Sequence, residues 1–310
     1  MFFLWFFFVV GLILLFIGSE LMVYAANKLA VALNLSGFLV GLVIISIITS
    51  LPEATTSVIA QIYKETNLMF GNIIGSNIAN FGLIGGLLFL LFPKHMPSDL
   101  WKRDLPLLSL STLTLMILSL NEKISHLKGV ILLMLFVVVI SIQIIMQIKK
   151  ERKDTKRTKS SYSQMFLYSF IMLIGVAALL YGAYVIVEKG LVISKFYNIS
   201  QRVVGITLIA IGTSLPELAT SISAGFHKNT SMAIGNVVGS NIFNTLFIVG
   251  AAALIHPIVV SKNFIYKDFP VLFYLIVLLW IASSLRSVVF QRILGVILLF
   301  SYAIYIGLLI

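Results

Sequence analysis

The chain has 310 residues, 60% of them hydrophobic and 11% charged, with no cysteine and a formal net charge of +11. This composition excludes an ordinary soluble domain, and the missing cysteine excludes disulfides, thiol chemistry and cysteine-held metals. The positive charge does not form a basic recognition face, so no nucleic-acid partner is expected.

Apolar windows of about 20 residues, each long enough to cross hydrocarbon as a helix, recur along the whole sequence. Ten spans are predicted in chain order: residues 2–25, 37–62, 67–92, 104–120, 127–147, 164–187, 202–226, 231–255, 267–285 and 289–309. The first has no basic residue before Lys28 and outruns a signal-peptide core, so it reads as a membrane span. Between spans five and six lies KKERKDTKRTK, residues 149–159, with seven Lys/Arg. By the positive-inside rule this loop is expected to be cytoplasmic. An odd number of spans on each side then places both termini outside a cell membrane crossed many times. The expected organisation is a first five-helix unit over 1–148, a basic linker over 149–163 and a second five-helix unit over 164–310.

Span two contains a conflict: GLVIISIITSLPEATTS, from Gly41, sets a proline, a glutamate and several hydroxyls inside an apolar helix. The stretch recurs as GITLIAIGTSLPELATS from Gly205, identical at 10 of 17 positions without a gap and 164 residues later. At the same offset GNIIGSNIAN, from Gly71, returns as GNVVGSNIFN, from Gly235, with 7 of 10 identities, and Asn34-Leu35-Ser36 returns as Asn198-Ile199-Ser200. One shared register across separate matches means an internal repeat. Five spans per repeat, an odd number, force the second copy to enter the membrane upside down. Inverted repeats with interrupted helices are the architecture of secondary transporters, whose substrate sits near the midplane between the copies.

The repeated residues are an oxygen-donor set. Pro52 and Pro216 cannot donate an amide, so the carbonyls of Ile48 and Gly212 are freed inside their spans. Ser46, Thr49, Ser50, Glu53 and Ser57 share one helical face, as do Ala210, Thr213, Ser214, Glu217 and Ser221. Asn72, Ser76 and Asn80, then Asn236, Ser240 and Asn244, add shorter stripes on spans three and eight. Carboxylates, hydroxyls and amide oxygens without sulfur or imidazole suit hard cations, calcium above all. An acid near a helix centre costs about 2.5–3.5 kcal/mol on insertion scales, which makes Glu53 and Glu217 the most informative residues. A single membrane serine is as often a packing residue as a ligand, and Gly75 and Gly239 read first as close-packing positions. Glu20 and Glu188 read as structural acids near span ends. His95, His126, His227 and His256 read as scattered loop residues that suggest no metal site.

The paired SLPE and GNxxGSN motifs resemble those of the calcium/cation antiporter superfamily, and within it the prokaryotic type of sodium/calcium exchanger. The resemblance runs the length of the chain. It implies an all-α integral membrane protein of ten transmembrane helices in two inverted five-helix repeats, with spans two, three, seven and eight around the ions and spans one and six sliding across them. It also implies that Thr49, Glu53, Thr213 and Glu217 hold calcium. Ser50, Ser76, Ser214, Ser240, Asn80 and the carbonyls of Ser46 and Ala210 would complete flanking sodium sites, with Asn244 standing where several relatives carry aspartate. No cofactor is implied; the transported ions are calcium and sodium. The retained Gly-Ser pairs favour sodium over proton coupling, and the neutral Asn244 speaks against potassium dependence. Ile48 departs from the family, which favours glycine there, and puts the sodium stoichiometry in question. A proton/calcium antiporter is the nearest alternative. A calcium channel is another, though channels use rings of equivalent ligands. An intramembrane enzyme lacks its usual GxGD or HExxH signature, and a scaffold would tolerate loss of both glutamates.

Overall fold

A computed structural model describes residues 2–33, 35–93, 100–151, 162–196, 210–285 and 287–309. Within them the helices group into ten segments. They are α1, Phe2–Leu33; α2, Gly37–Thr49 continued by Leu51–Ile62; α3, Thr66–Leu91; α4, residues 100–119; and α5, His126–Glu151. The second set comprises α6, Tyr162–Phe196; α7, Ala210–Thr213 continued by Leu215–Phe226; α8, Thr230–Ile255; α9, Phe264–Ser284; and α10, Val288–Leu309. Seven are unbroken helices long and apolar enough to cross a membrane, and α2 qualifies as a pair of helices bent by 44°. Of the other two, α4 opens on Lys102, Arg103 and Asp104, and the start predicted for α7 lies outside the described residues.

The 164-residue repeat is visible in local geometry. Ser50 (φ −84°, ψ 8°) breaks α2 and Ser214 (φ −87°, ψ 4°) breaks α7, each two residues ahead of its proline. Lys64 and Lys228, both with positive φ of 63° and 57°, turn the chain out of those helices. In each turn the lysine amide reaches back to the helix end, to Gln61 and Gly225 respectively, as in an αL helix cap. Five-residue π-helical turns, Leu100–Asp104 and Phe264–Asp268, open α4 and α9, with Pro106 and Pro270 in the first α-helical turn that follows. Each proline, having no amide to donate into the preceding turn, stands where the helix passes from π to α spacing.

The polarity is inside out relative to a soluble protein. Phe3, Phe6 and Phe16 on α1, Phe166 and Leu173 on α6 and Phe300 and Leu308 on α10 are exposed, as suits helices facing lipid. Most hydroxyls, amides and acids of α2, α3, α7 and α8, among them Ser50, Glu53, Asn72, Ser76, Glu217 and Asn236, are buried. The long helices α1 and α6 pack chiefly on each other, and glycines set their approach. A methyl added at Gly18 would lie 2.8 Å from the Gly175 carbonyl, and one at Gly182 would lie 2.8 Å from the Gly11 carbonyl. These four are themselves repeat partners, Gly11 with Gly175 and Gly18 with Gly182, so the α1–α6 contact maps onto itself when the repeats are exchanged. Small residues permit this approach in a membrane, where apolar burial alone does not drive helices together. A two-stranded antiparallel ribbon, β1 Lys123–Ile124 with β2 Ile258–Val259, joins the α4–α5 and α8–α9 connections.

Several expectations need correction. α1 extends eight residues beyond the predicted end at 25, so Glu20 lies well inside the helix. Its Oε1 accepts from Ser223 Oγ at 2.7 Å, and His227 Nε2 stands 3.5 Å from its Oε2. The hydropathy window closed early because Asn27 and Lys28 lower the average. His126 is no loop residue: it begins α5 and its Nδ1 lies 2.7 Å from the Ala253 carbonyl. α5 runs to Glu151 and α6 starts at Tyr162, so helix enters both ends of the predicted 149–163 linker. Residues 152–161 lie outside the described set, as do Asn198-Ile199-Ser200 and Gly205 to Ile209 of the second motif.

Candidate ion-binding site

Pro52 and Pro216 explain why α2 and α7 break where they do, and the breaks set the polar side chains of each helix toward the opposite repeat. Ser50 Oγ, from α2, donates to Glu217 Oε1, from α7, at 2.8 Å. The reciprocal bond, Ser214 Oγ to Glu53 Oε1, measures 3.3 Å. Each hydroxyl therefore serves the acid of the other repeat. Both glutamates are wholly buried. In each, Oε2 has no hydrogen-bond partner, and among the described residues neither acid pairs with a lysine, arginine or histidine. A buried, unpaired carboxylate costs several kcal/mol. Two of them in one enclosed place make a polar centre that carboxylate chemistry suits to a cation.

The asparagines of α3 and α8 join the halves. Asn72 Nδ2 donates to the Glu53 carbonyl at 3.2 Å and to Ser57 Oγ at 3.0 Å, while Asn72 Oδ1 accepts from Thr213 Oγ1 at 3.3 Å. Asn236 mirrors it: Nδ2 donates to the Glu217 carbonyl at 3.3 Å and to Ser221 Oγ at 2.9 Å, and Oδ1 accepts from Thr49 Oγ1 at 3.1 Å. One amide thus ties the backbone of its own acid to a threonine of the other repeat. On the pure sequence reading these two residues only extended the polar stripes. Their sequence signal was the first asparagine of each GNxxGSN, four residues before the serine.

Of the remaining predicted residues, two serines lie beside the threonine and asparagine just described. Ser76 Oγ lies 3.4 Å from Thr213 Oγ1, and Ser240 Oγ lies 3.5 Å from Asn236 Oδ1. Asn80 and Asn244 are fully buried, and both side-chain polar atoms of Asn80 and the oxygen of Asn244 lack partners. Both occupy π-helical turns, Asn80–Gly85 and Phe243–Ile248, a local widening often found at functional sites. The Ser46 carbonyl accepts from the Ser50 amide at 3.0 Å and from Thr49 Oγ1 at 3.3 Å, so in this arrangement it is engaged within its own helix. Ser46 Oγ donates to the Leu42 carbonyl. Ala210 opens the described part of α7, four residues before the break at Ser214. Ile48 packs against the cluster of Ala25 and Leu29 of α1 and Met172 of α6 and also against the main apolar core.

Three residues escaped the sequence reading. Asn77 and Thr245 hydrogen-bond across the repeats at 2.9 Å, and Asn244 Nδ2 donates to Asn77 Oδ1 at 3.1 Å. Thr220 Oγ1 accepts from Asn236 Nδ2 at 3.0 Å. Asn77 stood in the quoted motif but off the four-residue stripe, whereas Thr245 faces Phe81 at the equivalent repeat position and left no repeat signal.

Chemically the site offers hard oxygen ligands, two carboxyl groups among hydroxyls and amides, and among the described residues no basic side chain pairs with either acid. Among the described residues no group of three or more His, Cys, Asp or Glu forms, so the set is dominated by hydroxyl and amide oxygens around two acids. Such a set suits sodium and calcium rather than zinc or copper.

Comparison with known proteins shows the family and the fold. The family model described as sodium/calcium exchanger protein matches residues 3–145 and again 167–310. The inner membrane protein YrbG of Escherichia coli is 30% identical over 311 residues, covering 97% of this chain and 95% of that protein. The sodium/calcium exchanger MaX1 of Methanosarcina acetivorans is 29% identical over 339 residues, covering 96% and 95%. Among solved structures, the sodium-calcium exchanger NCX_Mj soaked with 2.5 mM Na+ and 0.1 mM Ca2+ superposes with a TM-score of 0.84 at 30% identity, over 97% of this chain and 96% of that one. The same exchanger soaked without Na+ and Ca2+ gives 0.83 over 98% of each chain. With its two matched repeats, its broken helices and its paired buried acids, this multi-pass membrane protein belongs to the sodium/calcium exchanger family.

Proposed function

We propose that the chain exchanges sodium for calcium across a cell membrane by alternating access, and that its working direction is calcium extrusion. The observation that carries this reading is the reciprocal pair Ser50–Glu217 and Ser214–Glu53, which presents two buried carboxylates with no protein counter-charge to one cation site between inverted repeats. Calcium is held by Glu53, Glu217, Thr49 and Thr213. Sodium ions use that centre and flanking positions made by Ser50, Ser214, Ser76, Ser240, Asn80 and the carbonyls of Ser46 and Ala210, and Asn244 sets its amide oxygen toward the centre that both ions share.

The hydroxyls have two duties. Without a cation, Ser50 and Ser214 donate to the acids and lower the cost of their burial. With a cation, the same oxygens turn their lone pairs toward the ion, since a hydroxyl both donates and accepts. A small rotation therefore replaces a large rearrangement. Opening to either face follows from the inversion, because the two repeats build equivalent walls on opposite sides of the centre. One calcium neutralises the two acids, whereas three sodium ions leave one positive charge, so the cycle is electrogenic. The basic linker, residues 149–163, faces the cytoplasm and both termini face outward, with repeat units over 1–148 and 164–310. The likeness to the sodium/calcium exchangers MaX1 and NCX_Mj supports the choice of ions, and that to the inner membrane protein YrbG supports an inner-membrane setting.

The test is radioactive calcium uptake into proteoliposomes. Under an outward sodium gradient at fixed pH, uptake is expected well above the sodium-free control. Uptake that follows a pH gradient and ignores sodium would replace this reading with proton/calcium antiport, and calcium flux without any counter-ion would mark a channel.

A further inference from the structure

The two repeats treat their deepest asparagines differently. Asn244 Nδ2 is taken by Asn77 Oδ1 at 3.1 Å, and Asn77 Nδ2 is taken in turn by Thr245 Oγ1 at 2.9 Å. All three residues are wholly or almost wholly buried, and the only unpartnered polar atom of the Asn244 side chain is its oxygen. The equivalent set in the other half is Asn80, Asn241 and Phe81, each 164 residues away. Phe81 offers no hydroxyl, so Asn241 Nδ2 turns back to the Val237 carbonyl of its own helix at 2.6 Å. Asn80 is left with neither its nitrogen nor its oxygen held. A single difference, threonine against phenylalanine, accounts for one fixed amide and one free amide.

We propose that Asn77, anchored by Thr245, is a positioning residue that holds the Asn244 amide with its oxygen free, and that this orientation raises the preference for calcium over sodium. The inference rests on the reading of Asn244 as part of the ion site. The reason is electrostatic. An amide is a dipole whose oxygen attracts a cation and whose N–H groups repel it. The interaction scales with the charge of the ion, so turning the amide round penalises a divalent ion about twice as much in free energy as a monovalent one. Asn80, free to rotate, supplies no such discrimination. The hydrogen-bonded chain also explains how an aspartate at 244 is accommodated: Thr245 donates instead of accepting, Asn77 rotates, and its Nδ2 faces the carboxylate.

The experiment measures half-saturation for calcium and for sodium in proteoliposome exchange, comparing the unmodified protein with Asn77→Leu, Thr245→Val, Thr245→Ser, Asn244→Leu and the Asn77→Leu/Asn244→Leu double variant. For Asn77→Leu the calcium constant is expected to rise about tenfold and the sodium constant about threefold, half the free energy. Thr245→Val, which keeps shape and loses only the hydroxyl, shifts both in the same ratio by a smaller amount, and Thr245→Ser restores them. The double variant is no worse than Asn244→Leu alone, because the lost contacts lie on one chain. Equal shifts for both ions, additive effects in the double variant, or unchanged constants in Thr245→Val would overturn the proposal while leaving exchange intact. Absence of any sodium-dependent calcium flux in the unmodified protein would instead remove the exchange reading, and the proposal with it.

Discussion

Glu217→Gln replaces one carboxylate by a near-isosteric amide. Glutamine can keep the oxygen that accepts from Ser50 Oγ at 2.8 Å and set a neutral nitrogen where the unpartnered Oε2 stands. The change is therefore chiefly one of charge. For a calcium ion about 3 Å from the carboxylate centre, at an effective dielectric of about 20, the lost attraction is about 11 kcal/mol. Much of it is offset, because the variant no longer strips water from an anion in a site that is wholly buried. The net cost of breaking a buried charge pair is about 3–5 kcal/mol, which weakens calcium by roughly two to three and a half orders of magnitude. Sodium carries half the charge, so its loss is about half as large in free energy, about 10- to 60-fold. Calcium transport at micromolar concentrations should nearly vanish, and Glu53→Gln should behave alike because its environment is the repeat image. The assay is calcium titration of exchange in proteoliposomes, with sodium titrated in parallel. An apparent calcium affinity within threefold of the unmodified protein in both variants would refute the charge argument.

Asn244→Asp is expected to be milder than either glutamine variant and to alter ion preference rather than abolish flux, read as the ratio of calcium to sodium half-saturation. Gly239→Ala is expected to destabilise the protein by about 1–3 kcal/mol, because its methyl would lie 2.7 Å from Ser46 Cβ; a lowered melting temperature in detergent checks this. Asn236→Leu cuts the tie between the Glu217 carbonyl and Thr49 and should slow exchange more than Asn241→Leu, where the bond from Nδ2 to the Val237 carbonyl stays within its own helix. Calcium flux at one fixed sodium gradient should change with membrane potential, since one charge is worth about 2.3 kcal/mol per 100 mV; flux independent of voltage would exclude three-for-one exchange.

Much of the architecture was legible because membrane helices advertise themselves by length and apolarity, and because the 164-residue offset with five spans per copy implies the inversion. The same simplicity hid details. Hydropathy averages ended α1 near residue 25, although Asn27 and Lys28 continue the helix to Leu33. The carboxylates and hydroxyls could be placed on one helical face by counting, yet periodicity within a helix is blind to what lies opposite. That Ser50 meets Glu217 rather than Glu53 is a property of two helices 167 residues apart in sequence, and only the packed repeats display it. Asn77 was invisible for a similar reason: it sits one position off the stripe, and its partner Thr245 has no repeat image.

Ile48 bears on the charge count. A β-branched residue where the second repeat carries Gly212 raised the prospect that one flanking sodium position is blocked in the first repeat. The packing points elsewhere. Ile48 packs against the cluster of Ala25 and Leu29 of α1 and Met172 of α6 as well as against the main apolar core, while the hydroxyl and carboxylate of Ser50 and Glu53 on the same helix bond to residues of α7. On a helix, residues two and five apart face different sides, so a side chain lodged against α1 and α6 adds bulk there. Gly212 makes the corresponding approach without a side chain, its added methyl meeting Val187 of α6. The asymmetry therefore alters how the broken helix seats on the long pair α1 and α6, and it leaves in place the oxygen donors of the first repeat. On this reasoning the substitution affects the rate of movement more than the number of ions carried. Ile48→Gly should then change turnover while the dependence of flux on voltage stays the same, and a voltage dependence that appears only in Ile48→Gly would show that the isoleucine had removed a sodium position after all.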